Sequence, residues 1–209
     1  MKISAPLLHC GLTILTVFCT FPAISQLDSV TFYLDKNEQL CSKEKAEFLG
    51  KGKKENDRFR VLYYGLPSHK LIMDANYTDY TMSVRDGAYA LYEEESQRPM
   101  EKGLYVNNRK QGYWVQWSNG LITDSTLYEM DADLVRISYV YDDNGNIINR
   151  VLNDSRTKTS ELFYYYPNGR LQRYARWVNR TGDQVYYYPT GDTQTIETYK
   201  NGTLLSTRH

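Results

Sequence analysis

The chain has 209 residues, of which 41% are hydrophobic and 24% charged, and its 25 basic and 25 acidic residues cancel. This balance argues against a nucleic-acid protein, which usually carries a net basic face, and it gives no electrostatic case for binding anionic lipid. The 20 tyrosines are unusual. Tyrosine favours strands because its apolar ring and polar hydroxyl suit a partly solvent-exposed sheet surface.

The first segment has the features of an export signal. Lys2 precedes an apolar run, Leu12 to Phe21, and Ala23 and Ser25 are small residues at −3 and −1 of a cleavage site before Gln26. The run is short for a membrane span, although a retained N-terminal anchor is the alternative. We therefore expect an exported protein, in the periplasm, on the cell surface or outside the cell, with no membrane contact beyond this segment.

Cysteine usage limits how the exported chain is stabilised. Cleavage would remove Cys10 and Cys19 and leave Cys41, which cannot form an internal disulfide. We expect Cys41 to pack as a small hydrophobic residue, and a reactive exposed thiol is the alternative. The remaining length, roughly 184 residues, is enough for one domain with a sizeable core or for a repeat array.

A repeat runs through the second half of the chain. Turn glycines recur at Gly120, Gly145, Gly169 and Gly191, with spacings of 25, 24 and 22 residues. An aromatic residue precedes each of these turns. Such self-similarity predicts an array of one repeated supersecondary unit.

A second aromatic residue follows three of these glycines by eight positions. It is Tyr128 after Gly120, Trp177 after Gly169 and Tyr199 after Gly191, whereas the unit of Gly145 has Asn153 there. Each unit reads as strand, turn, strand and loop, and Asn-Gly between alternating apolar residues predicts a hairpin with a tight primed turn.

The earlier segments are less regular. The segment 93–98 reads as a long turn between strands, and residues 65–67 read as another turn. Residues 30–40 predict a strand and a turn, residues 42–49 a short helical turn or a strand, and the Gly- and Lys-rich segment 50–57 a solvated loop.

The segment "YYYPNGRLQRYARWVNRTG", residues 164–182, resembles the repeat of the MORN-variant family, which includes the YwqK-like antitoxins, and similar repeats occur in many exported proteins of Bacteroidetes-type bacteria. The resemblance covers residues 30–204. It implies an elongated, twisted antiparallel sheet of successive hairpins, and the antitoxin label implies a protein-binding role. This chain departs from that label because its export signal does not suit the partner of a cytoplasmic toxin.

The fold class expected is all-β: an elongated antiparallel sheet of consecutive β-hairpin repeats, MORN-like, in a single layer or weakly curled. The expected segments are a signal peptide (1–25), an N-terminal lead-in strand and loop (26–57), the hairpin repeat array (58–204) and a C-terminal tail (205–209).

Few residues indicate catalysis, a metal site or a cofactor. The exported chain would keep two histidines, His69 in a turn and His209 at the end, and neither belongs to a cluster with metal-ligand spacing. The carboxylates of 93–95, 131–133 and 142–146 lie in expected turns, where they bond nearby backbone more often than they bind calcium or act as acids and bases. We expect no enzyme activity and no cofactor.

The aromatic face is the main functional feature, because Tyr and Trp are typical interface anchors. The candidate interaction residues are Trp114, Trp117, Tyr165, Trp177 and Tyr187. The expected function is non-enzymatic protein–protein interaction in the cell envelope, with an envelope or secreted protein as partner. The alternative is a carbohydrate-binding module that stacks exposed rings on a glycan.

Overall fold

The computed structural model describes residues 28–209, and the expected signal peptide lies outside this part of the chain. The described residues form one antiparallel sheet of 15 strands. The order of strands in the sheet is the order in the sequence, so every connection is a hairpin. The all-β array of consecutive hairpins is therefore confirmed.

The strands are β1 (Ser29–Leu34), β2 (Phe48–Glu55), β3 (Arg58–Gly65), β4 (Leu71–Tyr77), β5 (Arg85–Tyr92), β6 (Pro99–Val106), β7 (Arg109–Ser118), β8 (Leu121–Glu129), β9 (Ala132–Tyr141), β10 (Ile147–Asp154), β11 (Thr159–Tyr165), β12 (Leu171–Val178), β13 (Thr181–Tyr187), β14 (Thr193–Lys200) and β15 (Thr203–Arg208). A 3-10 turn (Lys43–Lys45) precedes β2.

The two faces of the sheet follow from strand alternation and from the register, because directly paired residues point to the same side. We define face A as the side that carries Phe59, Val61 and Tyr63 of β3, all buried, and face B as the opposite side. On β4 the residues paired with these three are also buried, namely Tyr77, Ala75 and Met73.

The hydrophobic core lies on face A of the N-terminal half. Its buried members come from β3, β4, β5 and β7: Phe59, Val61, Tyr63, Met73, Ala75, Tyr77, Tyr89 and Trp114. Inside it the hydroxyl oxygens of Tyr63 and Tyr77 are 3.1 Å apart, so the two buried hydroxyl groups form a hydrogen bond with each other.

Ten of the fourteen strand pairs contain a register shift, and such bulges bend and twist a sheet.

The prediction of a solvated loop over 50–57 is wrong, because most of this segment belongs to β2. Its glycines and lysines alternate: Gly52 is buried on face A, and Lys51 and Lys53 are exposed on face B. A Cβ on Gly50 would lie 2.2 Å from the Phe32 ring, and one on Gly52 would lie 2.3 Å from the Phe59 ring. The glycines therefore act as core positions, since rings from the neighbouring strands fill the space above them.

The hairpin turns marked by the repeat glycines have two geometries. Asn119 and Gly120 have φ of 51° and 81°, as the expected primed turn requires. At Gly145, Gly169 and Gly191 the glycine alone has positive φ, and its N–H donates to the carbonyl three residues earlier. These are three-residue loops, in which a type I turn is followed by a left-handed glycine, so the expected primed turn is wrong there.

Residues of the expected lead-in and tail also belong to the sheet. Residues 28–57 supply β1, the 3-10 turn and β2, and the last strand extends to Arg208. The sequence predicts either a short helical turn or a strand for residues 42–49. This segment contains the 3-10 turn followed by the start of β2. The long turn 93–98 is confirmed between β5 and β6.

Candidate functional site

The five candidate interaction residues do not form one site. Trp114 and Trp177 lie on face A, whereas Trp117, Tyr165 and Tyr187 lie on face B, as the register of their strands shows. The structure therefore divides the rings between opposite sides of the sheet.

Trp114 is only 2% exposed, so its ring offers no surface to a partner. Its indole Nε1 donates to the Leu104 carbonyl at 3.1 Å, and the ring packs against Tyr89 and Tyr105. The Lys110 ammonium lies 3.9 Å from the ring centroid. Trp114 therefore stabilises the core, and no sequence pattern separates it from the two half-buried tryptophans, Trp117 and Trp177.

Trp177 is half-buried and packs edge-on against Tyr199, with ring centroids 5.0 Å apart. The Tyr199 hydroxyl donates to Glu197 at 2.9 Å, and Gln184 donates to the same carboxylate at 3.1 Å. The hydrogen bond to Glu197 raises the pKa of Tyr199. These contacts tie β12, β13 and β14 together on face A.

Face B carries a continuous apolar row across β9 to β14. Direct pairing links its members in the order Tyr139, Arg150, Phe163, Tyr174, Val185 and Ile196. All six side chains are half-buried, and nothing in residues 28–209 packs over them as a second layer, because the sheet has one layer. At the usual strand spacing the row spans about 24 Å.

Arg150 interrupts the row without making it polar. Its guanidinium lies over the Phe163 ring, 4.0 Å from the centroid, and its Nε is buried without a hydrogen-bond partner among the described residues. A cation over an aromatic face is favourable, so the row keeps a mainly carbon surface despite Arg150.

Charged and polar side chains flank the row on face B. Glu161 pairs with Arg176 at 3.3 Å and accepts a hydrogen bond from the Tyr174 hydroxyl at 3.3 Å. Burial and the nearby Glu161 carboxylate raise the pKa of Tyr174. Asp183 accepts a hydrogen bond from Thr198 at 2.8 Å. The apolar row therefore has a polar rim along one side.

The candidate rings Trp117, Tyr165 and Tyr187 lie on face B near the ends of their strands. Tyr165 pairs with Leu171, and Trp117 pairs with Ile122, which is 39% exposed. All three rings are half-buried, and they extend face B toward the glycine-bearing turns. Sequence reasoning found these rings but missed the central row, whose aliphatic members carry no motif.

The residues considered for chemistry lie in turns. Asp142 Oδ1 accepts hydrogen bonds from the backbone N–H groups of Asn144 and Asn146, and Asn146 Nδ2 donates to Oδ2. These bonds, above all the one from the Asn146 side chain, lower the pKa of Asp142. Cys41 is half-buried.

Metal-ligand clusters and membrane-spanning helices are both absent from the described part of the chain. Between residues 28 and 209 no group of three or more His, Cys, Asp or Glu is placed to hold a metal ion. Over the same residues no helix has the length and apolar character needed to cross a membrane.

No family model matches this chain, and neither does any curated protein. The resemblance to MORN-variant repeats therefore stays a prediction from the residues.

Proposed function

We propose that the chain is an exported, non-enzymatic repeat protein that binds another envelope or secreted protein through face B of β9 to β14. The observation that supports this proposal is the half-buried row of Tyr139, Phe163, Tyr174, Val185 and Ile196, flanked on one side by the Glu161–Arg176 ion pair and Asp183. An apolar centre with a polar rim is the usual anatomy of a protein interface.

The chemistry of the row favours a protein partner over a glycan. Two of its members, Val185 and Ile196, are aliphatic. Aliphatic side chains pack favourably against apolar side chains of a protein, but they form no hydrogen bond with a sugar hydroxyl. A contact 24 Å long also has the reach of a standard interface, which buries about 800 Å² on each partner.

One observation favours the carbohydrate alternative. The rings of Tyr139 and Tyr141 are stacked, with centroids 6.4 Å apart and planes at 25°. Two nearly parallel rings on face B could serve as a platform for a sugar ring. The Tyr141 hydroxyl, however, already donates to the Ile122 carbonyl at 2.6 Å, so it is committed to the sheet.

A capture experiment with matched variants tests the proposal. The chain from Gln26 to His209 is used to capture material from an envelope extract of its own cells, and bound protein and glycan are both analysed. The test variant is Phe163→Thr with Tyr174→Thr, because Thr retains strand propensity while removing both rings. Val140→Thr is the control, since Val140 is 51% exposed on face A.

The expected result is one protein recovered near one-to-one by the wild type and by the control but lost with the double variant. Circular dichroism and thermal unfolding must show that the double variant is folded. Recovery of glycan without protein would replace the proposal with the carbohydrate alternative. Equal capture by all three chains would show that this row is not the interface.

A further inference from the structure

A row of directly paired residues crosses face A from Trp114 to Trp177. Between the two tryptophans the row consists of Thr126, Arg136, Asn153 and Ser160. Asn153 occupies the position where the other glycine-marked units have Tyr128, Trp177 and Tyr199. The loss of one repeat aromatic therefore leaves a polar gap between two large rings.

The gap coincides with two depressions that share Arg136. One has a volume of about 210 Å³ and is lined mainly by polar groups of β6 to β9: Glu101, Lys110, Gln116, Asp124, Thr126 and Tyr128, with Trp114 beneath them. The other has a volume of about 400 Å³ and lies at the ends of β9 to β11, where Asp133, Asn153, Lys158 and Ser160 line it. We name the two depressions together the polar trough.

The polar trough offers donors and acceptors side by side. Lys110 and Gln116 both donate to Oε1 of Glu101, at 2.8 and 3.2 Å, which leaves Oε2 without a hydrogen bond from any residue in the described part of the chain. Asp124 accepts hydrogen bonds from Thr126 and Ser138. The Arg136 guanidinium pairs with Asp133 at 2.7 Å. Glu101, Lys110 and Asp124 are half-buried, whereas Gln116 and Arg136 are exposed. A half-buried carboxylate oxygen without a hydrogen bond is unfavourable, and convergent polar groups in a depression are typical of binding sites.

The charges of the trough nearly cancel. Its lining has four acidic residues, since Asp154 also lines the larger depression, and three basic ones. Arg156, outside the lining, pairs with Asp154 at 3.0 Å. An anion or a cation would therefore meet as much repulsion as attraction. A hydroxyl group both donates and accepts, so a neutral ligand rich in hydroxyls satisfies carboxylates, amides and cations together.

We propose that the polar trough binds a segment of a neutral oligosaccharide. The row from Trp114 to Trp177 lies on face A, opposite the row to which the protein partner is assigned, whereas Asp154 and Thr159 at the strand ends of the trough lie on face B. The proposal does not depend on that assignment. It also differs from ring stacking, because Trp114 is buried and the contacts come from charged and amide groups. At the usual strand spacing the row from Trp114 to Trp177 spans about 24 Å, which suits an extended ligand.

Isothermal titration calorimetry on the folded chain tests this proposal. The probes are neutral hexasaccharides of glucose, mannose, galactose and N-acetylglucosamine, a galacturonate hexamer as the anion and a glucosamine hexamer as the cation. At least one neutral probe is expected to bind saturably, and at least tenfold more tightly than either charged probe.

Two variants connect that binding to the trough. Asn153→Trp restores an aromatic residue in the gap and is expected to weaken binding at least tenfold, while Ser206→Trp, at an exposed face B position of β15, leaves it unchanged. Gln116→Ala removes one amide without adding volume and is expected to weaken binding about threefold or more. No binding of any neutral probe, a preference for a charged probe, or binding unaffected by Asn153→Trp and Gln116→Ala would each overturn the proposal.

Discussion

Gly103→Ala is expected to destabilise the sheet, although Ala is usually better than Gly in a strand. A Cβ on Gly103 would lie 2.1 Å from Trp114 Cδ2 and 2.2 Å from Cε2, whereas carbon atoms prefer about 3.5–4.0 Å. The ring would have to move by roughly 1.5 Å to restore that distance. Tyr105, whose ring centroid is 4.8 Å from that of Trp114, hinders the movement.

The magnitude follows from two opposing effects. Overpacking of a buried site costs about 1–3 kcal/mol. Replacing Gly with Ala in a strand returns about 0.5–1 kcal/mol through backbone entropy. The free energy of unfolding is therefore expected to fall by about 1–2 kcal/mol, which lowers Tm by about 2–8 °C for a chain of this size.

A double-mutant cycle isolates the contact. Trp114→Leu is expected to destabilise by itself, but it also removes the atoms that the new methyl group would meet. Gly103→Ala with Trp114→Leu should therefore be more stable than the sum of the single changes predicts, by about 1–2 kcal/mol. Urea unfolding followed by far-UV circular dichroism gives all four free energies. A Gly103→Ala variant more stable than wild type, or additivity within about 0.5 kcal/mol, would refute the reasoning.

Three further predictions concern the core, a turn and a titrating group. Trp114→Ala is expected to lower the free energy of unfolding by about 3–5 kcal/mol, against less than about 0.5 for Val140→Ala, in the same urea assay. Gly169 has φ of 79° with no neighbour within 4 Å, so Gly169→Ala should cost about 1–2 kcal/mol and Gly169→Asn measurably less, also by urea unfolding. The lowered pKa of Asp142 stabilises its turn above about pH 4, and this contribution is lost as pH falls through the lower, folded pKa. Asn146→Ala should raise that pKa toward its ordinary value, as NMR titration of the carboxyl carbon would show.

The sequence predicted the architecture because each hairpin has a local signal. Asn119-Gly120 indicates a turn, alternation indicates the flanking strands, and the fixed spacing of the glycines shows that one unit is repeated. Turns without glycine have a weaker sequence signal. Asn107 and Asn108 have φ of 49° and 66°, and Met130 and Asp131 have 49° and 72°, yet the second pair contains no typical turn dipeptide.

Three-residue turns were mistaken for two-residue turns for a physical reason. Pro167 favours the first central position of a type I turn, so the chain needs one more residue, the left-handed Gly169, to return to the ladder. Asn-Gly alone does not separate the two cases. In β2 the glycines led to a predicted loop where the chain forms a strand. A glycine covered by a ring from a neighbouring strand occupies a core position, but in the sequence it looks like a loop residue.

The site was harder to predict because a ring's environment depends on strands that are distant in sequence. Trp114 and Trp117 are three residues apart, yet one lies buried on face A and the other half-buried on face B. The polar trough had a single sequence signal, the absence of an aromatic residue at Asn153. That signal acquires meaning only when the register places Arg136 and Ser160 on either side of it.

Strand order that follows sequence order also determines how the molecule unfolds. Each strand exchanges substantial contacts only with its neighbours along the chain, so stability accumulates from adjacent pairs and contact order is low. The face A core extends from β1 to β8, whereas the polar gap crosses β8 to β11, and β9 to β15 together include few buried side chains. We expect amide hydrogens of the last strands to exchange with solvent faster than those of β3 and β4, since a nearest-neighbour array can open from its weaker end while the rest stays paired.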